Sequence, residues 1–532
     1  MRKTLSVLVT LLSVVTALAQ SKEFTLGKNL EIEYAVLGEV ASSYVDTVDF
    51  EKMISSGIES MLSTLDPYTV YFPEEEEEDV ELMTTGNYGG VGSLIRKMPG
   101  EAVRIVEPYE GTPAVKAGLE PGDCILEIDG VPVYGETSEQ SSERMKGQPG
   151  TDVHFRVVKG RTGDTVNVVV TRERIHISSV VYAGMVRDTV GYVYIDGFTS
   201  GMHDEFRSKV LELKSSGARR LVIDLRDNGG GVMEEAVELV SLFVPKGTLV
   251  VSSKGRGQAE SELRTVSAPL DTAIPLLVLI NSASASASEI TAGALQDLDR
   301  ATVAGVRSYG KGLIQSIKPL PYNGKVKITT GKYYTPSGRC VQAIDYSHRN
   351  EDGSVGYVPD SLRKAFKTRA GRTVYDGGGI TPDIQVEAPS YSRTAAGIVY
   401  ADIDGDFAIE YYKKHPSIPA PADFHLSDAE YEEFVQFAAA QSYDLRSASQ
   451  TALDALVKAA QQDGLYELYK TEIEALKARV EVDKAQLLRD LKSELLPLVE
   501  TEIVVKYYFK GQSTIIALRN DPQLDKALEE WQ

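Results

Sequence analysis

The chain has only two cysteines in 532 residues, Cys124 and Cys340, and their separation rules out a zinc site built on paired cysteines. Its six histidines are scattered, and no Gly-x-Ser-x-Gly stretch occurs, so the usual histidine-activated serine elbow is missing. Basic residues are in deficit, with 56 Lys and Arg against 77 Asp and Glu and a net charge of -21. Without clustered cations there is nothing to neutralise phosphates, which argues against a nucleic-acid partner. Beyond residue 20 no apolar run approaches the roughly 20 residues that cross a bilayer. What remains is 42% hydrophobic and 25% charged, a composition of soluble globular domains, and the length suits three or four of them.

Residues 1–20 read as a cleavable signal peptide. Arg2 and Lys3 precede the mostly apolar Leu5 to Leu18, and Ala17-Leu18-Ala19 fits the small-x-small cleavage rule. A periplasmic or secreted location follows as an expectation, with no membrane span after cleavage. Oxidising surroundings permit disulfides, but Cys124 and Cys340 fall in segments assigned to different domains, which argues against a bridge.

Four further regions are distinguished. Residues 22–84 read as helical, with apolar residues at Ile32, Val36, Val40 and at Met53, Ile58, Met61, Leu65, and a break at Asp66-Pro67. The acidic run Glu74 to Asp79 reads as the exposed first turn of a helix, favoured over a metal site by the helix dipole. Residues 85–175 carry short alternating runs, such as Val153 to Val158 and Val166 to Val170, separated by turn signals, and form a small β-rich domain. Residues 176–390 alternate strands with helices, with Leu221 to Leu225 and Leu276 to Ile280 as buried strands, and predict an α/β core. Residues 391–532 return to helices, opened by the capping box Ser427-Asp428-Ala429-Glu430. A stripe through Tyr469, Ile473, Leu476, Val480, Leu487 and Leu491 is either buried on the same chain or a contact between copies. The fold class is therefore multidomain, α/β and α+β.

The chemistry concentrates in Asn281 to Ile290, where serines alternate with alanines, and in Tyr309-Gly310-Lys311-Gly312-Leu313-Ile314-Gln315. A serine hydroxyl needs a base, and lysine serves in the known serine–lysine variants. Lysine titrates near 10.4, so burial must depress it by about three units before it is neutral near pH 7. Leu313 and Ile314 supply apolar surroundings, and the flanking glycines let backbone approach. Gln315 offers an amide that orients Lys311 without adding charge. Asp224 to Gly231 ends a strand and opens a helix, where glycine N–H groups can serve as oxyanion donors. Two rival motifs fail on their spacing. Gly305 to Lys311 resembles a phosphate loop but is followed by Gly312 where Ser or Thr should hold magnesium. Asp402 to Asp406 resembles a calcium loop with its glycine misplaced and Lys413 at the twelfth position.

These residues resemble the C-terminal processing peptidases, or tail-specific proteases. Ser284 to Ile290 with Tyr309-Gly310-Lys311-Gly312 and Gln315 carries the resemblance. So do Asp66 to Tyr71, Gly89 to Gly92, Tyr333 to Arg339 and Gly377 to Asp383, in order. The resemblance covers about residues 30 to 390 and implies Ser286 as nucleophile, Lys311 as general base and Gln315 as its orienting partner. It implies the N–H groups of Gly230 and Ala287 as the oxyanion hole; the family often has proline where Gly229 stands, which frees this loop. It implies that the β-rich domain is a PDZ domain binding an extended peptide as an added strand. Gly90, Val91 and Gly92 would hold the terminal carboxylate, Leu94 would lie on the receiving edge, and the helix opened by Thr112 to Leu119 would close the groove. The expected function is a serine endopeptidase acting on proteins with exposed C-terminal tails, without metal or organic cofactor. The alternative is a catalytically inactive, peptide-binding PDZ scaffold.

Overall fold

The computed structural model describes residues 22–97, 103–257, 259–350, 352–441, 448–480 and 483–531. The signal peptide expected over residues 1–20 lies outside the described residues.

Two helices, Lys22–Ser43 and Phe50–Ser63, lead in, the second capped by Asp49, whose carboxylate accepts the Lys52 N–H at 3.0 Å. The acidic run opens the helix Glu77–Thr85 through a 3-10 turn after Pro73, as expected. This region is not wholly helical. Val70–Phe72 is a strand paired antiparallel with Lys325–Tyr334, so a segment far away in sequence joins a sheet of the α/β region. Asp66 makes that turn by accepting N–H bonds from Tyr68 and Thr69, both at 2.8 Å.

The β-rich domain is a sheet in the order Ser93–Lys97, Val103–Pro108, Cys124–Ile128, Asp152–Val158 and Thr165–Thr171. Alternation places Val153, Phe155 and Val157 in its core with Ile105 and Ile125. Among the described residues Ser93–Lys97 has one strand neighbour, and its other edge pairs with no strand. The helix beside that edge differs from the expected one. Pro113–Lys116 is a single turn ended before Gly118 (φ +78°), with Ala114 buried in the core of the β-rich domain. Ser138–Met145 packs next to the edge strand instead, and Ser138 Oγ accepts the Lys97 N–H at 3.1 Å.

The α/β core is a sheet in the order Val180–Arg187, Val190–Ile195, Arg220–Asp224, Leu276–Ile280, Ala301–Gly305 and Ile384–Gln385, parallel from the second strand onward. One face packs on helices Met202–Ser215, Met233–Ser241 and Ala287–Asp297 through Ile223, Val278 and Val303. The other face, through Val222, Leu277 and Leu279, is covered by Leu524, Ala527 and Trp531 of the C-terminal tail. Burial on both faces explains why these strands read as unbroken apolar runs. A second sheet carries Lys325–Tyr334 at its centre, with Leu313–Pro319, Leu249–Gly255 and Val70–Phe72 as neighbours.

The C-terminal helical domain has its own core around Phe407, Phe434, Leu495 and Ile503, and Ser427 and Glu430 cap the helix Asp428–Ala440. Asp402, just before the helix Ile403–Lys414, and Asp406, in its first turn, form ion pairs with Arg96 and Arg104 of the β-rich domain. The expected stripe is split between helices Tyr466–Val480 and Lys484–Asp490. Ile473 is buried, whereas Tyr469 and Leu476 are exposed. Cys124 and Cys340 are free. Among the described residues no helix is long and apolar enough to cross a membrane.

Candidate active site

The parallel strand Leu276–Ile280 leaves the sheet into a short loop, and Ser286 stands where that loop turns into the helix Ala287–Asp297. Ser286 has φ 56° and ψ -113°, a conformation L residues rarely hold. It is a strained strand-to-helix turn that projects its side chain from the end of the sheet, without the glycines that usually flank such a turn. The small neighbours Ala285 and Ala287, both buried, let the turn pack.

The other hydroxyls of the run are consumed or turned away. Ser284 Oγ donates to the Leu225 carbonyl at 2.7 Å and Ser288 Oγ to the Asn228 carbonyl at 2.9 Å, both fully buried. Ser282 is exposed outside the cleft. Ser286 alone of the four lines a cavity of about 530 Å³, and Lys311, Gln315 and Gly230 line it too.

Lys311 sits in the loop between Ala301–Gly305 and Leu313–Pro319, just before a strand whose first residues, Leu313 and Ile314, also line the cavity. Gly312 is required here, because a Cβ would lie 2.8 Å from the Gln342 nitrogen. The Lys311 ammonium lies 4.3 Å from the Tyr68 ring centroid. Burial pushes Lys311 below its ordinary range, the positive charge of Lys327 adds to that, and Glu289 and Asp66 oppose it. The direction is the one a lysine base requires.

Gln315 takes a partner other than Lys311. Its Nε2 donates to Thr329 Oγ1 at 3.1 Å, after a β-bulge between Ile314 and Gln315 that resets the strand's alternation. The two expected oxyanion donors also differ. Ala287 opens the helix, where N–H groups have no intrahelical acceptor and the dipole favours negative charge. The Gly230 N–H is accepted by Asn228 Oδ1 at 2.8 Å. Gly230 nevertheless lies against the serine, since a Cβ on it would meet Ser286 Cβ at 2.8 Å and the Ala287 nitrogen at 2.9 Å.

Two residues at the site went unassigned on sequence grounds. Glu289 is fully buried and accepts from Ser308 Oγ (2.6 Å), Gly310 N (2.7 Å), Lys311 N (2.8 Å) and Ser286 N (2.9 Å). One carboxylate thus ties the serine turn to the lysine loop. Burial pushes its carboxyl above the ordinary range, while those four donors pull against it. Its spacing as the third residue of the helix was the available signal. Tyr68 comes from the N-terminal segment, and its hydroxyl bonds to those of Tyr309 (3.2 Å) and Tyr346 (3.1 Å) beside the lysine.

In the β-rich domain, Gly90 and Val91 are buried, and the Val91 carbonyl accepts the Ala114 N–H at 2.9 Å. Gly92 has φ +76°, and Leu94 is exposed on the unpaired edge.

A serine on a strained turn and a half-buried lysine on one cavity, beside a small β-rich domain, are the arrangement of a serine-type peptidase with a PDZ-like module. Residues 189–348 match Peptidase family S41, residues 104–159 the PDZ domain, and residues 397–530 the C-terminal helical domain of probable PDZ-proteases. A carboxy-terminal-processing protease of Bartonella bacilliformis is 34% identical over 316 residues, covering 58% of this chain and 71% of the relative. A carboxyl-terminal-processing protease of Synechocystis sp. is 36% identical over 296 residues, covering 54% and 68%. A solved photosystem II D1 C-terminal processing protease, 27% identical, covers 66% of this chain and 86% of that one, with a TM-score of 0.35. The chain belongs to peptidase family S41, among the carboxy-terminal-processing proteases.

Proposed function

We propose that the protein is an endopeptidase that selects substrates by their C-terminal tails and cleaves them with a Ser286–Lys311 dyad. Ser286 Oγ attacks the scissile carbonyl carbon while Lys311 Nζ takes its proton. The developing oxyanion is met by the Ala287 N–H, and by the Gly230 N–H once that donor leaves Asn228 Oδ1. Collapse of the tetrahedral adduct breaks the peptide C–N bond, and Lys311 returns its proton to the leaving amine. Water, deprotonated by Lys311, then hydrolyses the acyl-enzyme. The tail adds as a strand to the free edge of Ser93–Lys97 near Leu94, with its carboxylate at Gly90 to Gly92.

The observation that carries this reading is that Ser286 alone of its serine run opens on the cavity that Lys311 lines. The test is cleavage of a tailed peptide by Ser286→Ala and Lys311→Ala, with mass spectrometry after a serine-directed covalent inhibitor. Loss of turnover in both, with the wild-type adduct on Ser286, supports the dyad; wild-type rates in either variant overturn it. A tail peptide bound without cleavage or adduct would favour a scaffold. Export is part of the proposal, motivated by the basic start and apolar run in residues 1–20. N-terminal sequencing of the mature protein tests it, and an intact Met1 in the exported fraction would contradict cleavage.

A further inference from the structure

Lys327 stands on the strand Lys325–Tyr334, opposite Val70 on one side and Ile317 on the other. Its side chain lines the cavity that contains Ser286 and Lys311. Among the described residues no carboxylate lies within 4.0 Å of its ammonium. Its contacts are the Met83 sulfur at 3.8 Å and the Phe72 ring, whose centroid is 5.6 Å away. Two residues earlier on the strand, Lys325 pairs with Glu77 at 2.8 Å, so the strand does not prevent compensation. In a chain with an excess of carboxylates, a half-buried ammonium without a counter-ion is costly, and it stands in the catalytic cleft.

We propose that Lys327 is a tuning residue, an uncompensated ammonium that repels a second positive charge in the cleft and so keeps Lys311 in the amine form that accepts the Ser286 proton. This rests on Lys311 being the base. The charges facing Lys311 are few. Glu289, on the helix side, and Asp66, on the N-terminal segment, would favour its ammonium form, but their oxygens are engaged by N–H and O–H donors. Tyr68 presents its ring face, with the Tyr309 and Tyr346 hydroxyls behind it. Glu234 and Tyr333 complete the ionisable lining of the cavity, Tyr333 donating to the Ser286 carbonyl at 3.3 Å. Among the described residues Lys327 is the cation that, together with burial, lowers Lys311. Burial lowers Lys327 as well, so the two lysines titrate as a pair, and the proposed reactive form is the one that keeps the remaining proton on Lys327. A neighbouring cation is a known way to make a lysine reactive at neutral pH.

The experiment is the pH dependence of kcat/KM on a fluorogenic tailed peptide for wild type, Lys327→Met, Lys327→Gln, Lys327→Arg and Lys311→Ala. Removing the charge should move the acidic limb up by about one pH unit, a roughly tenfold loss below the limb, and leave the alkaline plateau in place. Lys327→Arg should keep the wild-type limb. Lys327→Gln is a second neutral reading should the Met variant fail to fold. An unmoved limb in a folded neutral variant overturns the proposal. So does a raised KM for acidic peptides with the limb unmoved, which would make Lys327 a substrate contact. Activity in Lys311→Ala would defeat the base assignment, and that failure is read separately.

Discussion

Glu289 Oε2 accepts the main-chain N–H of Lys311 at 2.8 Å, and the same oxygen accepts that of Ser286 at 2.9 Å. The proposed nucleophile and base are held in register by a buried carboxylate that needs no side-chain contact with either. Glu289→Ala should leave buried donors unpaired and cost about 3 kcal/mol of stability. Glu289→Gln fills the space but loses acceptor capacity, and misplacement by even an ångström should lower kcat roughly 100-fold with KM little changed. Steady-state kinetics with a thermal scan checks both; a glutamine variant with wild-type kcat would refute the tie.

Ser286 pays for its place in the turn with φ 56° and ψ -113°. Such strain costs on the order of 1–3 kcal/mol in a residue with a Cβ and little in glycine. Ser286→Gly should therefore raise Tm by about 1–3 °C while abolishing turnover. Ser286→Ala, which keeps the Cβ, should abolish turnover without that gain. Equal Tm for the two variants would show that the turn is not strained.

The strand pattern of the core was readable because burial on both faces forces runs such as Leu276 to Ile280 to be apolar throughout. Which serine mattered was less readable. Ser284 and Ser288 have the same local surroundings in sequence, and only the folded loop turns their hydroxyls onto the carbonyls of Leu225 and Asn228. Gln315 was expected to orient Lys311; it lines the same cavity, and its Nε2 donates to Thr329 Oγ1. Tyr68 and Trp531 reach the core from the two ends of the chain. Their partners are set by tertiary packing, which local periodicity does not encode.

Lys311 should trade stability for function. Its folded-state pKa is lowered, chiefly by burial, so between the folded and unfolded values the unfolded chain binds more protons and stability rises with pH. Below the folded value the ammonium is charged in both states, and its desolvation is felt in full. Lys311→Met should therefore unfold at a higher temperature than wild type in acid, with the gain shrinking as pH climbs toward the ordinary lysine value of about 10.4. Thermal scans of both proteins from pH 6 to pH 10 test this. A gain that grew with pH would mean that Lys311 is stabilised, not destabilised, as an ammonium.

Arg226 joins the catalytic sheet to the far end of the chain. Its guanidinium bonds to Asp224, at the end of the strand Arg220–Asp224, and to Asp521, with 2.5 Å to a carboxylate oxygen of each. Asp521 also caps the helix Pro522–Glu530 by accepting the Leu524 N–H at 2.9 Å, and that helix covers the sheet's second face. Truncating one partner of a largely buried ion pair costs about 3 kcal/mol. Trp531, the sole tryptophan, packs under the Arg220 guanidinium at 3.9 Å and reports on this docking. In Asp521→Ala the Trp531 emission should shift to the red at lower urea than in wild type, ahead of the far-UV signal of the core. Asp521→Asn, which keeps an acceptor for the cap and loses the charge, should fall between the two. If all three proteins gave one coincident transition, the ion pair would not be what holds the tail to the sheet.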